Sequence, residues 1–590
     1  MRLFKCWETA ITSEKIFNKT YKLDFLNYVM DYSKLCETYH ALESTTKGLE
    51  KTQILADFLE LIKNPETIYL LQGKVFAEFN NREMGISHQL AIRAIARAVG
   101  IGDKEVLESF KELGDLGKVA EKLLGEQKKQ TALFTQKLKI EKVMNSLRRI
   151  TTLEGTGTVD LKLNLIVDLF HSASPLEAKY IMRTVLSDLK IGVGAGILRD
   201  AVVVHCFKPE SIEEKKEYVL KVQEAYDKTT DWREVFEKSC SDTLNTIELK
   251  PGRPLKVMLF PKAANITDAF RIVGEPAAFE YKYDGFRVMI NKDEKGKVKI
   301  FTRRLEEVTV QFPEIVDYVT NNVNGKNFII DGEAVGFDSE TKKYTAFQAI
   351  SQRIRRKYGI ESMMKRFPVE LVLFDIIYHE GRSLIEVAFE QRRELLKKIV
   401  KVEPYKIILS KQIITSDERR VNEFYELALG ENQEGLMAKS LSAPYKPGSR
   451  IGHAVKLKPE DNDFDLVITG AEWGTGKRAG WLTSYNVSCK NNGDLLEIGK
   501  VSTGLKELEG DELSYNEMTK KLQELETHED GRTIKVQPKI IVTVQYQDIQ
   551  KSTNYASGFA LRFPRIKALR PDRGIDDIAT VDEVRKEVEE

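Results

Sequence analysis

The stretch EYKYDGFRV, residues 280–288, sets Lys282 between two tyrosines and two residues ahead of an Asp-Gly turn, with acids at Glu280 and Asp284. The residues before and after the turn, AAFEYKY and FRVMINKD, are branched and aromatic enough to read as two strands joined by a tight connection. Lys282 therefore falls at the end of a buried strand, where an ammonium group is out of place unless it has a partner or a task.

K-x-D-G alone is weak, since chance would produce it in about one chain in ten of this length. Its companions follow in order: FTRRLEEVT (301–309), DGEAVGF (331–337), LVLFDIIY (371–378), EGLMAKS (434–440), AVKLKP (454–459) and LRFPRIKALRPDR (561–573). KVKIFTRR, FIIDGEAVGF and ELVLFDIIY read as further strands, and QRRELLKKIV and VNEFYELALG as interspersed helices, so this middle part is mixed α and β.

Upstream, from about residue 30 to 250, apolar positions recur at three and four, as at Leu176, Tyr180, Val185 and Leu189. Ser174-Pro175-Leu176-Glu177 offers an N-cap, a proline at the first helical position and a glutamate to close a capping box. GVGAGILRD has glycines at 192, 194 and 196 but no strand leading into it, so it reads as a helix-helix junction rather than a dinucleotide fingerprint. PGRPLKVMLFPK, 251–262, interrupts the helical pattern and marks a boundary. After KLKPEDNDFDLVITG, short strands such as KIIVTVQYQDI suit a small β-barrel.

A chain of 590 residues is too long for one core and accommodates roughly three or four domains. The divisions expected are an extension at 1–29, a helical domain at 30–250, an α+β domain at 251–459 and a barrel at 460–590. Net charge is +1, so a surface for a polyanion must be a local patch. The five cysteines are scattered, with no CxxC pair and only His205 adjacent to one, which reads as a reduced, intracellular protein. No apolar run reaches the roughly 20 residues of a membrane helix, and the start lacks a secretory core. A cytoplasmic, nucleoid-associated location is expected.

Taken together, these motifs resemble the ATP-dependent DNA ligases of the archaeal and eukaryotic replicative type, within the covalent nucleotidyltransferase superfamily that also holds RNA ligases and capping-type guanylyltransferases. The resemblance runs from about residue 30 to the end. It implies an all-α DNA-binding domain, an adenylation domain with antiparallel sheets and a C-terminal OB-fold. It also implies ATP and Mg2+ as cofactors and nicked duplex DNA as substrate, for a monomer acting in replication, recombination and repair. RNA ligases and capping enzymes share the lysine chemistry but lack a helical module such as ILADFLELI, LQGKVFAEF, EMGISHQLAIRAIARAVG and LGDLGKVAEKL.

Residue by residue, the resemblance makes Lys282 the nucleophile that forms a phosphoramidate with AMP, splitting one hard phosphate activation into two transfers. The attacking nitrogen must be unprotonated, whereas roughly a thousandth of free lysine is neutral near pH 7.4, a penalty of about 4 kcal/mol. Burial between Tyr281 and Tyr283 and neighbouring cations are expected to relieve it. Glu280 is placed against the adenine amino group, Arg287, Arg303 and Arg450 against nucleotide and phosphate, Glu333 against the ribose hydroxyl, and Phe374 as the ring stacked on adenine. Glu333 and Glu434 are the expected metal-associated carboxylates. Lys456 and Lys458 alternate on a strand and so share one face, toward the α-phosphate. In this family a tryptophan often precedes that lysine pair; here Ala454-Val455 stands there, so packing beneath the motif is expected to differ.

Arg562, Arg565, Lys567, Arg570 and Arg573 stand against a lone Asp572 in the last motif, where the resemblance implies cations that orient departing pyrophosphate. Lys190, Arg199 and Arg183 are expected to grip DNA phosphates without reading bases. QTALF, 130–134, lies in what reads as a lysine-rich loop and resembles a sliding-clamp docking motif through Gln130, Leu133 and Phe134. Residues 1–29 have no counterpart in the family pattern and read as an extension or a mis-chosen start.

Overall fold

The structure, a computed structural model, describes residues 30–589 apart from 132–136, 156, 355, 357, 449–451, 460–461, 475–477, 479 and 508–512. Two compact units divide the chain, Met1–Lys458 and Pro459–Glu590. In the first, helices from Tyr32–Ser44 to Trp232–Cys240 surround one continuous apolar core, which includes Leu35, Ile95, Leu147, Ile181, Val202 and Val235. The helix Pro175–Val185 begins as its sequence dictates: Ser174 Oγ accepts from Glu177 N–H, and the Glu177 carboxylate accepts from Ser174 N–H. It ends before Leu189, which packs from the segment beyond. GVGAG is a helix-helix junction, with Gly194 as N-cap of Ala195–Phe207.

From Ala277 the same unit turns to strands: β1 (Ala277–Tyr281), β2 (Phe286–Lys292), β3 (Val298–Thr302), β4 (Phe328–Phe337), β5 (Tyr344–Thr345), β6 (Val369–His379), β7 (Arg382–Ser383), β8 (Ile407–Leu409), β9 (Gln412–Thr415), β10 (Leu436–Ser440) and β11 (Ala454–Leu457). They form a four-stranded sheet in the order β11-β10-β1-β9 and a seven-stranded sheet built on β3-β2-β4-β6-β7. The pairing is antiparallel as expected, except that β8 runs parallel to β6.

The connection from β1 to β2 passes from one sheet to the other, so the D-G turn sits at their junction. A Cβ on Gly285 would lie 2.4 Å from Ala334 O and 2.9 Å from Glu333 Cγ. Glycine is required there for the turn to approach β4.

The second unit has strands β12 (Asn462–Trp473), β13 (Leu482–Asn491), β14 (Asp494–Val501), β15 (Glu526–Asp530), β16 (Thr533–Val536), β17 (Ile541–Tyr546), β18 (Asp548–Lys551), β19 (Phe559–Arg562) and β20 (Arg565–Leu569). The long β12 pairs with β13, β16 and β17, curling the sheet about a core that includes Leu466, Tyr485, Ile498, Ile534 and Val544. This is the strand-rich OB-type domain the sequence implies. Among the described residues, no helix is long and apolar enough to cross a membrane.

Candidate active site

Alternation along β1 decides what faces the junction. Phe279, Tyr281 and Tyr283 enter the core beneath the four-stranded sheet with Leu436, Ala438 and Val455. Glu280 and Lys282 take the opposite face. The tyrosines therefore do not sandwich the amine, contrary to expectation. Ala454 and Val455 are buried, and Val455 fills that same core.

Lys282 follows β1 directly and is held by backbone bonds in both directions, Lys282 N–H to Gly435 O and Glu434 N–H to Lys282 O, each 2.8 Å. This pairing sets the two side chains together: Lys282 Nζ lies 2.7 Å from Glu434 Oε2, with both side chains 17% exposed. Lys458 Nζ meets the same oxygen. Two ammonium groups thus converge on one carboxylate oxygen. Burial acts to raise the Glu434 carboxyl, but Lys282 and Lys458 outweigh it and hold it below its ordinary value.

Glu333, on β4 opposite Arg287, shows the reverse balance. Burial pushes its carboxyl up to about 8, Lys282 and Arg287 oppose the rise, and the Glu434 and Asp331 charges add to it. Lys456 is brought down to about 8, first by burial and then by Lys282, Arg303 and Lys458, with Glu434 opposing. Lys282, Lys456, Lys458 and Arg303 thus crowd positive charge around one spot that two carboxylates only partly neutralise. Such an arrangement suits a polyphosphate.

A second cluster adjoins the first. Across the four-stranded sheet the register aligns Lys456, Met437, Glu280 and Gln412 in one row. Glu280 is 1% exposed and each of its oxygens accepts a hydrogen bond: Lys439 donates to Oε2 at 2.5 Å and Gln412 to Oε1 at 3.0 Å. Sequence reasoning missed Lys439 and Gln412. Alternation along EGLMAKS, which puts Lys439 on the face of Met437, was the available signal for the first.

Phe374 is the one half-exposed residue of an otherwise buried run from Val369 to Ile377. The β4–β6 register shifts there, pairing Gly332 with Leu373 and Asp331 with Asp375, so Phe374 is the extra residue of a bulge. The bulge turns its ring out of the core and into a pocket lined by Phe260, Arg287, Lys439, Tyr445 and His453. Lys439 Nζ stands 4.6 Å and the Arg287 guanidinium 5.5 Å from the ring centroid.

Arg287 is largely committed within the protein. It forks onto Asp331 at 2.9 and 2.5 Å and donates to Met258 O at 2.7 Å, while Tyr445 donates to the same Asp331 at 2.9 Å. Its geometry is that of a strut joining β2, β4 and the Met258 segment. Arg303 stands exposed on the turn after β3.

Arg450, Leu133 and Phe134 lie outside the described residues, as do residues 1–29. Gln130 falls in the last turn of the helix Leu116–Thr131 and not in a loop. Arg183 does not fit its expected role: it is 2% exposed and bound to Asp115 at 2.8 Å and Glu43 at 3.0 Å. Lys190 pairs with Asp115 and Asp188, and Arg199 with Asp200. In the second unit, Arg570 and Arg573 brace Asp465 at 2.8 and 3.0 Å, whereas Arg565 and Lys567 alternate outward on β20. Cys206 and Cys240, 34 residues apart, meet in a disulfide, which corrects the expectation of unpaired thiols.

The chain matches three family models: DNA ligase N terminus over residues 31–203, ATP dependent DNA ligase domain over 257–458, and ATP dependent DNA ligase C terminal region over 478–573. It is 43% identical over 565 residues to a DNA ligase of Nanoarchaeum equitans, covering 94% of this chain and 98% of that one. It is 39% identical to a DNA ligase of Thermococcus fumicolans and 38% identical to one of Methanocaldococcus jannaschii, each with 94% and 98% coverage. The solved structure named Pmar-Lig_Pre shares the fold, with a TM-score of 0.55 at 17% identity over 91% of this chain and 98% of that one.

Proposed function

The chain belongs to the ATP-dependent DNA ligase family, and on that premise we propose that Lys282 is the nucleophile through which it seals nicked duplex DNA. The observation that carries this reading is the placement of Lys282 Nζ against Glu434, beside Lys458 and within the fields of Glu333 and Lys456.

The neutral amine attacks the α-phosphorus of ATP, forming a P–N bond as the P–O bond to pyrophosphate breaks and one amine proton passes to solvent. AMP then passes from Lys282 to the 5′-phosphate of a nick, and the 3′-hydroxyl displaces it to close the strand. Glu434 fixes the amine before attack. Lys456, Lys458 and Arg303 hold the phosphates, and Lys458, released from Glu434 as phosphate arrives, follows the charge. Phe374 offers its ring to adenine, while Glu280, its two oxygens oriented by Lys439 and Gln412, receives the adenine amino group. Arg287 acts by holding β4, and with it Glu333, in place, and Glu333 accepts from the ribose. Arg450 completes the nucleotide contacts.

Glu333 and Glu434 present oxygen donors, and the Glu434 charge is one of those that raise Glu333. Glu333 and Glu434 would hold a divalent cation that would relieve that repulsion, which fits the preference of Mg2+ for a few carboxylates alongside substrate phosphates. When bound, Mg2+ neutralises phosphate charge. The helical region 30–250 binds DNA, 251–459 carries adenylation and 460–590 forms the barrel. We extend the reading to a monomer in the cytoplasm, associated with the nucleoid, that docks on a sliding clamp through Gln130, Leu133 and Phe134. A clamp pull-down unchanged by Phe134→Ala would remove that docking site.

The direct test incubates the chain with α-labelled ATP or GTP and then with nicked DNA or nicked RNA. Label from ATP that enters the protein and leaves with sealing of DNA supports the reading. Labelling by GTP alone, or sealing of RNA alone, would move the chain to the capping or RNA-ligase class.

A further inference from the structure

Away from the nucleotide site, two helix ends meet in the helical region. The helix Ala195–Phe207 carries His205 and Cys206 in its last turn, and the helix Trp232–Cys240 ends on Cys240. The two sulfurs and a ring nitrogen of His205 all lie within 4.8 Å of one another. Glu60, which caps the helix Gly48–Leu59, brings Oε2 to 3.8 Å from His205 Nδ1. Three helices therefore deliver two thiol sulfurs, an imidazole and a carboxylate to one place. A disulfide between the cysteines uses two of these four groups and leaves the other two unexplained.

We propose that Cys206, Cys240 and His205 form a Zn2+ site when the cysteines are reduced, with Glu60 or water in the fourth position. The donor set is the mixed nitrogen and sulfur set that zinc takes in four-coordinate structural sites. Both cysteines sit at helix C-termini, where the aligned peptide dipoles disfavour a bare thiolate and favour a cation. Cys240 is exposed and gives an ion a way in, whereas His205 and Cys206 are half-buried. The ion would join the helix that follows the GVGAG junction to the last long helix of this region, doing with a metal what the disulfide does covalently.

The two states interconvert with balanced chemistry. A phosphine reductant opens the disulfide, with water supplying two protons to the sulfurs and its oxygen leaving as phosphine oxide. Zn2+ then displaces the two thiol protons.

The test uses the full chain, reduced with a phosphine under anaerobic conditions, stripped with chelator and titrated with Co2+ as a spectroscopic stand-in for zinc. The expected result is one equivalent of Co2+ showing thiolate-to-cobalt charge-transfer absorption, displaced by Zn2+. That absorption should weaken in Cys206→Ser and in Cys240→Ser and vanish when both are replaced by serine, and His205→Ala should weaken binding by roughly 10-fold or more. An oxygen-donor site such as Glu333 with Glu434 gives no such band, so the two metals are distinguishable. Absence of the band in the reduced parent chain, its persistence in the double serine variant, or unchanged affinity in His205→Ala would each overturn the site. The parent measurement and the histidine variant need no cysteine replacement, so misfolding of the serine variants leaves the test intact.

Discussion

Replacing Gly435 by alanine perturbs the active site at its backbone without touching a reactive group. Gly435 has φ +128°, a region essentially confined to glycine, and stands between Glu434 and β10. An alanine Cβ there would fall 2.3 Å from Leu457 O, against the 3.0 Å below which real Cβ contacts essentially never occur, so one strand must retreat by about 0.7 Å. The carbonyl it meets belongs to the residue before Lys458, and the residue on its other side is Glu434. The retreat thus separates the carboxylate from the lysines it holds. A misplacement of about 1 Å at reacting groups lowers rates roughly 100-fold, so Gly435→Ala should adenylate roughly 10- to 100-fold more slowly in single-turnover labelling with α-labelled ATP. Backbone strain of about 1–3 kcal/mol should lower the first unit's melting temperature. A variant that adenylates within about 3-fold of the parent would refute the argument that this close approach sets the site.

Phe374→Ala should raise KM for ATP in the adenylation step by roughly 5- to 150-fold, the equivalent of about 1–3 kcal/mol of base stacking, whereas Phe374→Tyr should stay near the parent. An unchanged KM in the alanine variant would show that the bulge does not present the ring to the base. Lys456, brought down to about 8, is a cation below that pH and neutral above it. Its grip on phosphate should therefore weaken as pH rises, and kcat/KM for ATP should fall above about pH 8. Lys456→Arg keeps its charge and should flatten that limb; parallel profiles would contradict the assignment. Asp331→Ala leaves Arg287 buried without its partner and should destabilise the first unit by about 3–5 kcal/mol. Tyr445→Phe, which removes one hydrogen bond to the same carboxylate, should lose only about 1 kcal/mol. Thermal melting of both variants checks the ratio.

Much of this site was legible because strand alternation has a period of two. Given that Lys282 ends a strand, Glu280 must share its face and Tyr281 must not. The alternation rule was available against the expectation of flanking tyrosines, yet local sequence adjacency suggested a sandwich that the pleat forbids. Phe374 could not be resolved by alternation, because a bulge, set by pairing between distant strands, decides where its ring points. Arg183 looked like a DNA contact because a sequence shows charge but not partners; Glu43 and Asp115 reach it from other helices. The meeting of Cys206 with Cys240 and the engagement of Glu280 by Gln412 are likewise products of tertiary packing. Gly285 and Gly435 each occur where another strand passes too close for a side chain, at Ala334 beside Glu333 in the first case and at Leu457 beside Lys458 in the second.

The most direct measurement compares two half-reactions of Lys282→Ala. The account predicts no labelling of the protein by α-labelled ATP, together with retained sealing of a nick already adenylated at its 5′-phosphate. Labelling of the variant at the parent's level would contradict the assignment of Lys282 as the nucleophile.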